Sequence, residues 1–441
     1  VLRNRTVHPV VVAIGAVALW AVGTLVAWFR LTPESRGTLW AEDGRFFLQD
    51  LFTHGTVGSL LVPYQGYLHV VPRAVIALAE HVASPGRFAE VDTALCCAVA
   101  AAAGAGVFVL SGAVVRSWVA RVLLGLVPVL LPLAPIEISG NAANIHSYLL
   151  FLAPWVFGVV VRSWWHSGVL AVVAVLIGLS EIQSIAFLPV LLVGIRSRRK
   201  WPVVAGAVIG TGAQVLTTLS NARTASEHVP VSVADMVVGY LLEVVGGAAT
   251  WNIADVGTEA AIHGFVVLVV PALLVLALLV LGVVLGGWWQ RGAIVVLLYG
   301  SLLVWAGSVY LNANTVYEYA EYTTAQLRTV WTIRYGAPSS MFLLAAVLVA
   351  ADVLAARAVA ARRRVLRVGL LAVAGVVAAA VAVAFALNAP VDGQKREAGP
   401  LWSDQVTAWT AECDVRPAQP ARLLEAPTGW VAAVPCTWLE H

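Results

Sequence analysis

The sequence predicts an all-α, polytopic membrane protein with about eleven transmembrane helices, and three observations predict it. First, 60% of its 441 residues are hydrophobic and 12% are charged, where a soluble domain carries about 25% charged residues. Second, the apolar residues are gathered into runs at 8–30, 91–115, 119–136, 147–161, 168–180, 183–195, 201–219, 264–286, 292–311, 338–356 and 368–388. A run of about 20 such residues crosses a bilayer core. Third, Lys and Arg concentrate in short turns between runs. The net charge of +3 is small, and this placement of the positive residues gives no reason to expect a nucleic-acid partner.

The first run follows Arg3 and Arg5 and contains Trp20 and Trp28. It is longer than a signal-peptide core and lacks a small-residue cleavage site, so it reads as an uncleaved helix with its N-terminus in the cytoplasm. The basic tips RSWVAR (116–121), RSWWHSG (162–168), RSRRK (196–200), GGWWQRG (286–292) and RAVAARRRVLR (357–367) alternate with loops poorer in Lys and Arg. All five fall on the cytoplasmic side if the first helix runs inside to outside. The runs 168–180 and 183–195 are short for a span, and Glu181 and Gln183 lie between them.

Two further segments are apolar but charged. Residues 65–83 contain His69, Pro72, Arg73 and Glu80, and residues 232–249 contain Asp235 and Glu243. Making either a span would invert the charge rule for everything after it. Both are therefore expected on the outer side, as interfacial or re-entrant helices. The chain divides into a transmembrane region, 1–388, with a large first outer loop at 31–90, and a small extracytoplasmic C-terminal region, 389–441. Cys96 and Cys97 lie in an apolar run and read as free core thiols. Cys413 and Cys436 lie in the tail, where an oxidising compartment would let them form a disulfide.

Chemistry is expected on the outer side, where the large loops are. The stretch TLWAEDGRFFLQDLFTHG (38–55) sets Glu42, Asp43, Arg45 and Asp50 among aromatic residues at the mouth of the first helix. On a regular helix Glu42, Arg45 and Gln49 would share one face, and Asp43 and Asp50 another. Asp43 or Glu42 could serve as a general base, with Arg45 helping to keep it ionised. The same stretch also fits an interfacial helix whose charges merely face water. PYQGYLHVVPR (63–73) offers Tyr64, Tyr67, His69 and Arg73, which suit a sugar or a phosphate and equally an aromatic belt with a snorkelling Arg. PIEISGNAANIHSY (135–148) adds Glu137, Asn141, Asn144 and His146. The 312–337 loop adds Arg328, Arg334 and Tyr335, with Arg334 at headgroup depth before an apolar run. An Arg there suits a lipid phosphate or a structural anchor. There is no Walker loop, HExxH or GxSxG.

Together these stretches resemble the GT-C superfamily of membrane glycosyltransferases. WAEDGRFFLQD resembles the acidic motif of that superfamily's first outer loop. YQGYLHVVPR, GNAANIHSY and RYGAP (334–338) are similar to patterns that recur in bacterial members. The resemblance covers most of residues 1–388 and implies a GT-C-like fold in a bacterial-type plasma membrane, and the five basic tips put the C-terminus on the extracytoplasmic side. It implies transfer of a sugar from a polyprenyl-phosphate donor to a glycan or glycolipid acceptor of the cell envelope. The superfamily's base carries over to Asp43, with Glu42 second, and its lipid-phosphate Arg to Arg334. Arg45, Tyr67, His69, Arg73, Asn144, His146, Glu181, Arg328 and Tyr335 are the accompanying substrate-binding candidates. Some members use a divalent metal. No second cluster of metal ligands is evident in this sequence, so no metal or other cofactor is expected. The rival readings are a transporter or flippase of lipid-linked sugars, which needs polar residues through the membrane depth, and a non-catalytic envelope-assembly protein.

Overall fold

The computed structural model describes residues 9–221, 229–250, 252–330, 333–389 and 391–440. Arg3 and Arg5 lie outside the described residues. Among these, eight helices are long and apolar enough to cross a membrane: Pro9–Phe29, Pro85–Ala113, Trp118–Glu137, Arg198–Ser220, Val266–Leu285, Trp288–Leu311, Gly336–Ala360 and Arg364–Leu387. The chain is a multi-pass helical membrane protein. The other three apolar runs fold as His146–Gly158, Trp164–Gly178 and the 3₁₀ segment Ile182–Leu192. At 1.5 Å per residue the 15-residue helix is about 22 Å long, shorter than a hydrocarbon core of about 30 Å. Eight long helices and three short ones thus account for the eleven runs.

Helix Gly336–Ala360 is central and buried along nearly its whole length. It packs against Trp288–Leu311, Val266–Leu285 and Arg364–Leu387. The last two of these, with Pro9–Phe29, turn Val and Leu side chains outward, as helices facing lipid do. Trp164–Gly178 lies closely along Trp201–Ser220. A Cβ on Gly178 would come within 2.6 Å of the Gly210 backbone, so glycine is what permits the contact.

The basic tips meet at one end of the bundle. Asp352 accepts from the amides of Arg116 and Ser117, Lys200 donates to the carbonyls of Phe157 and Val159, and Ser167 donates to that of Arg199. The large loops meet at the other end. Segment 65–83 forms helix Val70–Val82, whose first amides donate to Leu179 O and Ser180 Oγ. Segment 232–249 folds as Val233–Gly239, a π-helical turn Tyr240–Val245, and Gly246–Ala249. Ser232 and Asp235 form a capping box that starts it.

The tail is woven into this end. Arg396 is buried and donates to Thr38 O and Ser139 O, while the Lys395 amide donates to Ile136 O. Helix Trp402–Val415 and an antiparallel hairpin, Ala421–Glu425 with Trp430–Val434, follow. Cys413 and Cys436 form a disulfide, and Cys96 and Cys97 are free and buried.

Candidate functional site: a charged cleft at the loop end

The first loop and the tail build the cleft together. After the short turn Pro33–Arg36, residues 39–41 run beside Ala426 of the hairpin. Ala41 N donates to Ala426 O (2.7 Å), and Ala426 N donates to Leu39 O (3.0 Å). Ala41 has φ +31°, a conformation that costs a non-glycine residue energy and is held here by the bridge. A π-helical segment, Asp43–Leu48, then leads into Gln49–Ser59. The face pattern of a regular helix therefore does not hold. Asp50 turns instead to Arg73 (2.8 Å).

This geometry separates the two adjacent carboxylates. Asp43 is fully buried and accepts from the amides of Ala142 (3.1 Å) and Ala143 (2.7 Å). Burial raises its pKa well above the carboxylate range; Asp92 and Glu42 add to this, against the Ala143 amide and Arg396. Asp43 thus fastens the first loop to the 141–144 turn. Glu42 lines a cleft of about 550 Å³. Its Oε1 is 3.8 Å from Arg334 Nη1 and accepts from Tyr64 OH (3.4 Å), and its Oε2 has no hydrogen-bond partner among the described residues.

Arg334 sits just before the central helix and is held on both its main chain and its side chain. Its amide donates to Glu137 Oε2 (3.1 Å), and its Nη1 is 3.7 Å from Glu137 Oε1. Glu137 Oε2 also accepts from Lys395 Nζ (2.6 Å). One residue earlier, the Ile333 amide donates to Glu243 Oε2 (2.8 Å), and Tyr319 OH donates to Glu243 Oε1 (3.2 Å). Burial drives the Glu243 carboxyl up to about 8, against the pull of these two hydrogen bonds and of Lys395. The cleft therefore presents Arg334 and Lys395 beside two carboxylates, with Tyr317 and Tyr335 along its wall.

A second set adjoins the cleft through Tyr64, whose ring centroid is 5.7 Å from that of His69. Tyr67 lies 4.2 Å from His69 and His146 lies 6.0 Å from it, centroid to centroid. His146 Nδ1 pairs with Glu181, whose other oxygen caps the Gln183 amide (2.8 Å). Burial lowers the His69 pKa well below its ordinary value, helped by His146 and Arg73, so that imidazole is neutral at pH 7.

The sequence candidates thus divide by place. Glu42, Arg334 and Tyr335 line the cleft, and Tyr67, His69, His146 and Glu181 form the adjoining set. Arg45 stands exposed at the rim, its guanidinium 5.3 Å from the Trp430 ring centroid. Arg73 is buried against Phe47 (4.7 Å) and paired with Asp50. Asn144 is buried, with its amide group bonded to Asn141 (2.8 Å). Arg328 is exposed on Thr324–Arg328 and does not line the cleft. The tail residues that complete the cleft, among them Lys395, Ala426, Pro427, Thr428 and Trp430, carry no local signal. Among the described residues no group of three or more His, Cys, Asp or Glu side chains is placed to hold a metal ion.

No family model, no curated protein and no solved structure matches this chain.

Proposed function

We propose that the chain is a membrane glycosyltransferase of GT-C type. It moves a sugar from a polyprenyl-phosphate-linked donor to a cell-envelope glycan or glycolipid on the extracytoplasmic side. The observation that carries this reading is the meeting of Glu42 and Arg334 in one cleft at the loop end of an apolar bundle, with Lys395 beside them. In this reading all eleven apolar runs cross or enter the membrane, the basic tips are cytoplasmic, and the N- and C-termini lie on opposite sides. The membrane is a bacterial-type plasma membrane.

The roles follow from position. Glu42 takes the proton of the acceptor hydroxyl as that oxygen bonds to the anomeric carbon. The bond from that carbon to the phosphate oxygen breaks, and the leaving phosphate is countered by Arg334 and Lys395. An inverting displacement of this kind needs one base and no covalent intermediate. Asp43, with both oxygens held by backbone amides, keeps the first loop in place. An apolar groove of about 1600 Å³ reaches from Val71, two residues after His69, to Arg162 at the basic end, and suits a prenyl chain.

The test is transfer from a labelled polyprenyl-phosphate sugar by the purified protein in nanodiscs with its native membrane glycans. Loss of transfer in Glu42→Gln and Arg334→Ala, with folding retained, is expected. Full activity in both variants would move the chemistry to other residues, and no transfer by the parent protein would end the enzyme reading and leave a lipid-linked-sugar transporter or an assembly protein.

A further inference from the structure

Among the residues that line the cleft, two groups differ chemically. One presents the cations Arg334 and Lys395. The other belongs to the C-terminal hairpin and is uncharged: Ala426, Pro427, Thr428 and Trp430. Trp430 is half-buried. Its ring meets Phe46 edge-on at 6.0 Å, and Arg45 stacks 5.3 Å from its centroid. The indole is thus held in place at the cleft by the first loop.

Two polar atoms on cleft-lining residues are buried without a hydrogen-bond partner among the described residues: Trp40 Nε1 and Glu42 Oε2. Their residues are 3% and 7% exposed. A buried donor or acceptor left without a partner is costly, on the order of 1–3 kcal/mol. One is a pure donor and the other a carboxylate oxygen. A phosphate satisfies the indole but repels the carboxylate, and a hydrocarbon chain satisfies neither. A hydroxyl both donates and accepts, so a polyhydroxylated ligand satisfies both once the two side chains turn towards the cleft. Trp430 adds an aromatic ring against which a sugar's C–H faces pack.

We infer that the hairpin wall, with Trp430 and Trp40, forms the subsite for the acceptor saccharide, and that the tail selects the acceptor. This rests on the transferase reading above and deepens it: the acceptor class is a glycan, bound through its hydroxyls and ring faces and not through a lipid anchor. The donor phosphate takes the Arg334 and Lys395 group. Attachment of the hairpin to the first loop then has a purpose. The Gly44 amide donates to Glu425 Oε1 (2.8 Å), and a Cβ on Gly44 would come within 2.8 Å of Ala432 Cβ. Glycine at 44 lets the acceptor wall lie directly against the segment that carries Glu42.

The experiment is photo-crosslinking of the full-length protein in the cells that make it, with benzoylphenylalanine introduced at position 430 and, separately, at the exposed position 328. Acid hydrolysis of the purified protein then reports bound monosaccharides. Sugar-bearing adducts at 430 and not at 328 are the expected result. Adducts at 430 that carry lipid or protein only, or no adduct at all, overturn the subsite. In parallel, Trp430→Ala should raise the acceptor KM about five- to tenfold with kcat little changed, and Trp430→Phe should recover most of it. An unchanged acceptor KM in Trp430→Ala, with wild-type transfer intact, sinks the subsite while leaving the transferase reading standing. Sugar adducts at 430 on a parent protein that shows no transfer in the nanodisc assay sink the transferase reading while leaving a glycan-binding cleft.

Discussion

Glu42 Oε1 and Arg334 Nη1 stand 3.8 Å apart, one residue from the first large loop and the other from the segment that opens the central helix. The Arg334 side chain is about one-third exposed (36%), so the pair itself contributes little to stability. Its significance is placement. It sets a carboxylate, one of whose oxygens has no hydrogen-bond partner among the described residues, beside a guanidinium and an ammonium at the loop end of the bundle.

Glu42→Gln keeps the size of the side chain and removes its capacity to accept a proton. Transfer should fall about 10²–10⁴-fold, the usual cost of losing a general base, while the unfolding temperature stays near that of the parent. Steady-state transfer and a thermal melt in the same nanodiscs check this. Parent-like turnover in Glu42→Gln would remove it from the chemistry.

Asp43→Asn should act on the fold. The two carboxyl oxygens accept from two amides, at Ala142 and Ala143. An Asn offers one carbonyl oxygen and faces one of those donors with an NH₂ group. The expected cost is about 1–3 kcal/mol for the orphaned amide, read as a lower melting temperature. Any loss of transfer should track the loss of folded protein. An unshifted melting temperature with abolished transfer would exchange the roles of Asp43 and Glu42.

The periodicity of apolar runs made the helical membrane fold legible, because a span must be apolar for about 20 residues whatever its neighbours are. The three runs that end as short helices were legible only as runs. His146–Gly158 and Ile182–Leu192 carry Pro154 and Pro189, and length alone does not say how a short helix sits. The cleft was half legible. Glu42 and Arg334 stood out as charges beside apolar segments. Lys395 and Trp430 did not, because the tail's contribution depends on pairing across the whole chain, at Ala41 with Ala426 and at Arg396 with Ser139. The separation of Asp43 from Glu42 was hidden as well. It arises from a π-helical start and the backbone turn at Ala41, which a helical wheel does not contain.

Arg334 and Lys395 should divide the work on a phosphate. Arg334→Lys keeps the charge and loses the planar fork. Lys395→Gln removes a compact charge and its pairing with Glu137. Both should raise the donor KM, and Arg334→Lys should also lower kcat, because a bidentate clamp counts most as charge builds on the leaving phosphate. Titration of donor in the nanodisc assay separates the two effects. A donor KM unaltered in both variants would move the phosphate site elsewhere, with Arg45 the next cation at the rim.

Glu243 supplies a prediction that needs no substrate. Its carboxyl is raised to about 8 by burial, and Ile333, Tyr319 and Lys395 face it. In the unfolded chain an ordinary Glu titrates near 4.3. Between these two values the folded protein holds a proton that the unfolded chain has released. Stability from this group is therefore fully present below about pH 4 and is lost as pH rises towards about 8. Glu243→Gln keeps an oxygen for the Ile333 amide and an NH₂ for the Tyr319 oxygen, and it does not titrate. The melting-temperature difference between Glu243→Gln and the parent should move in favour of the variant as pH rises from 5 to 8.5. A difference that stays constant over that range would mean that Glu243 is ionised throughout, and that the Ile333 amide beside Arg334 is held by a charged group.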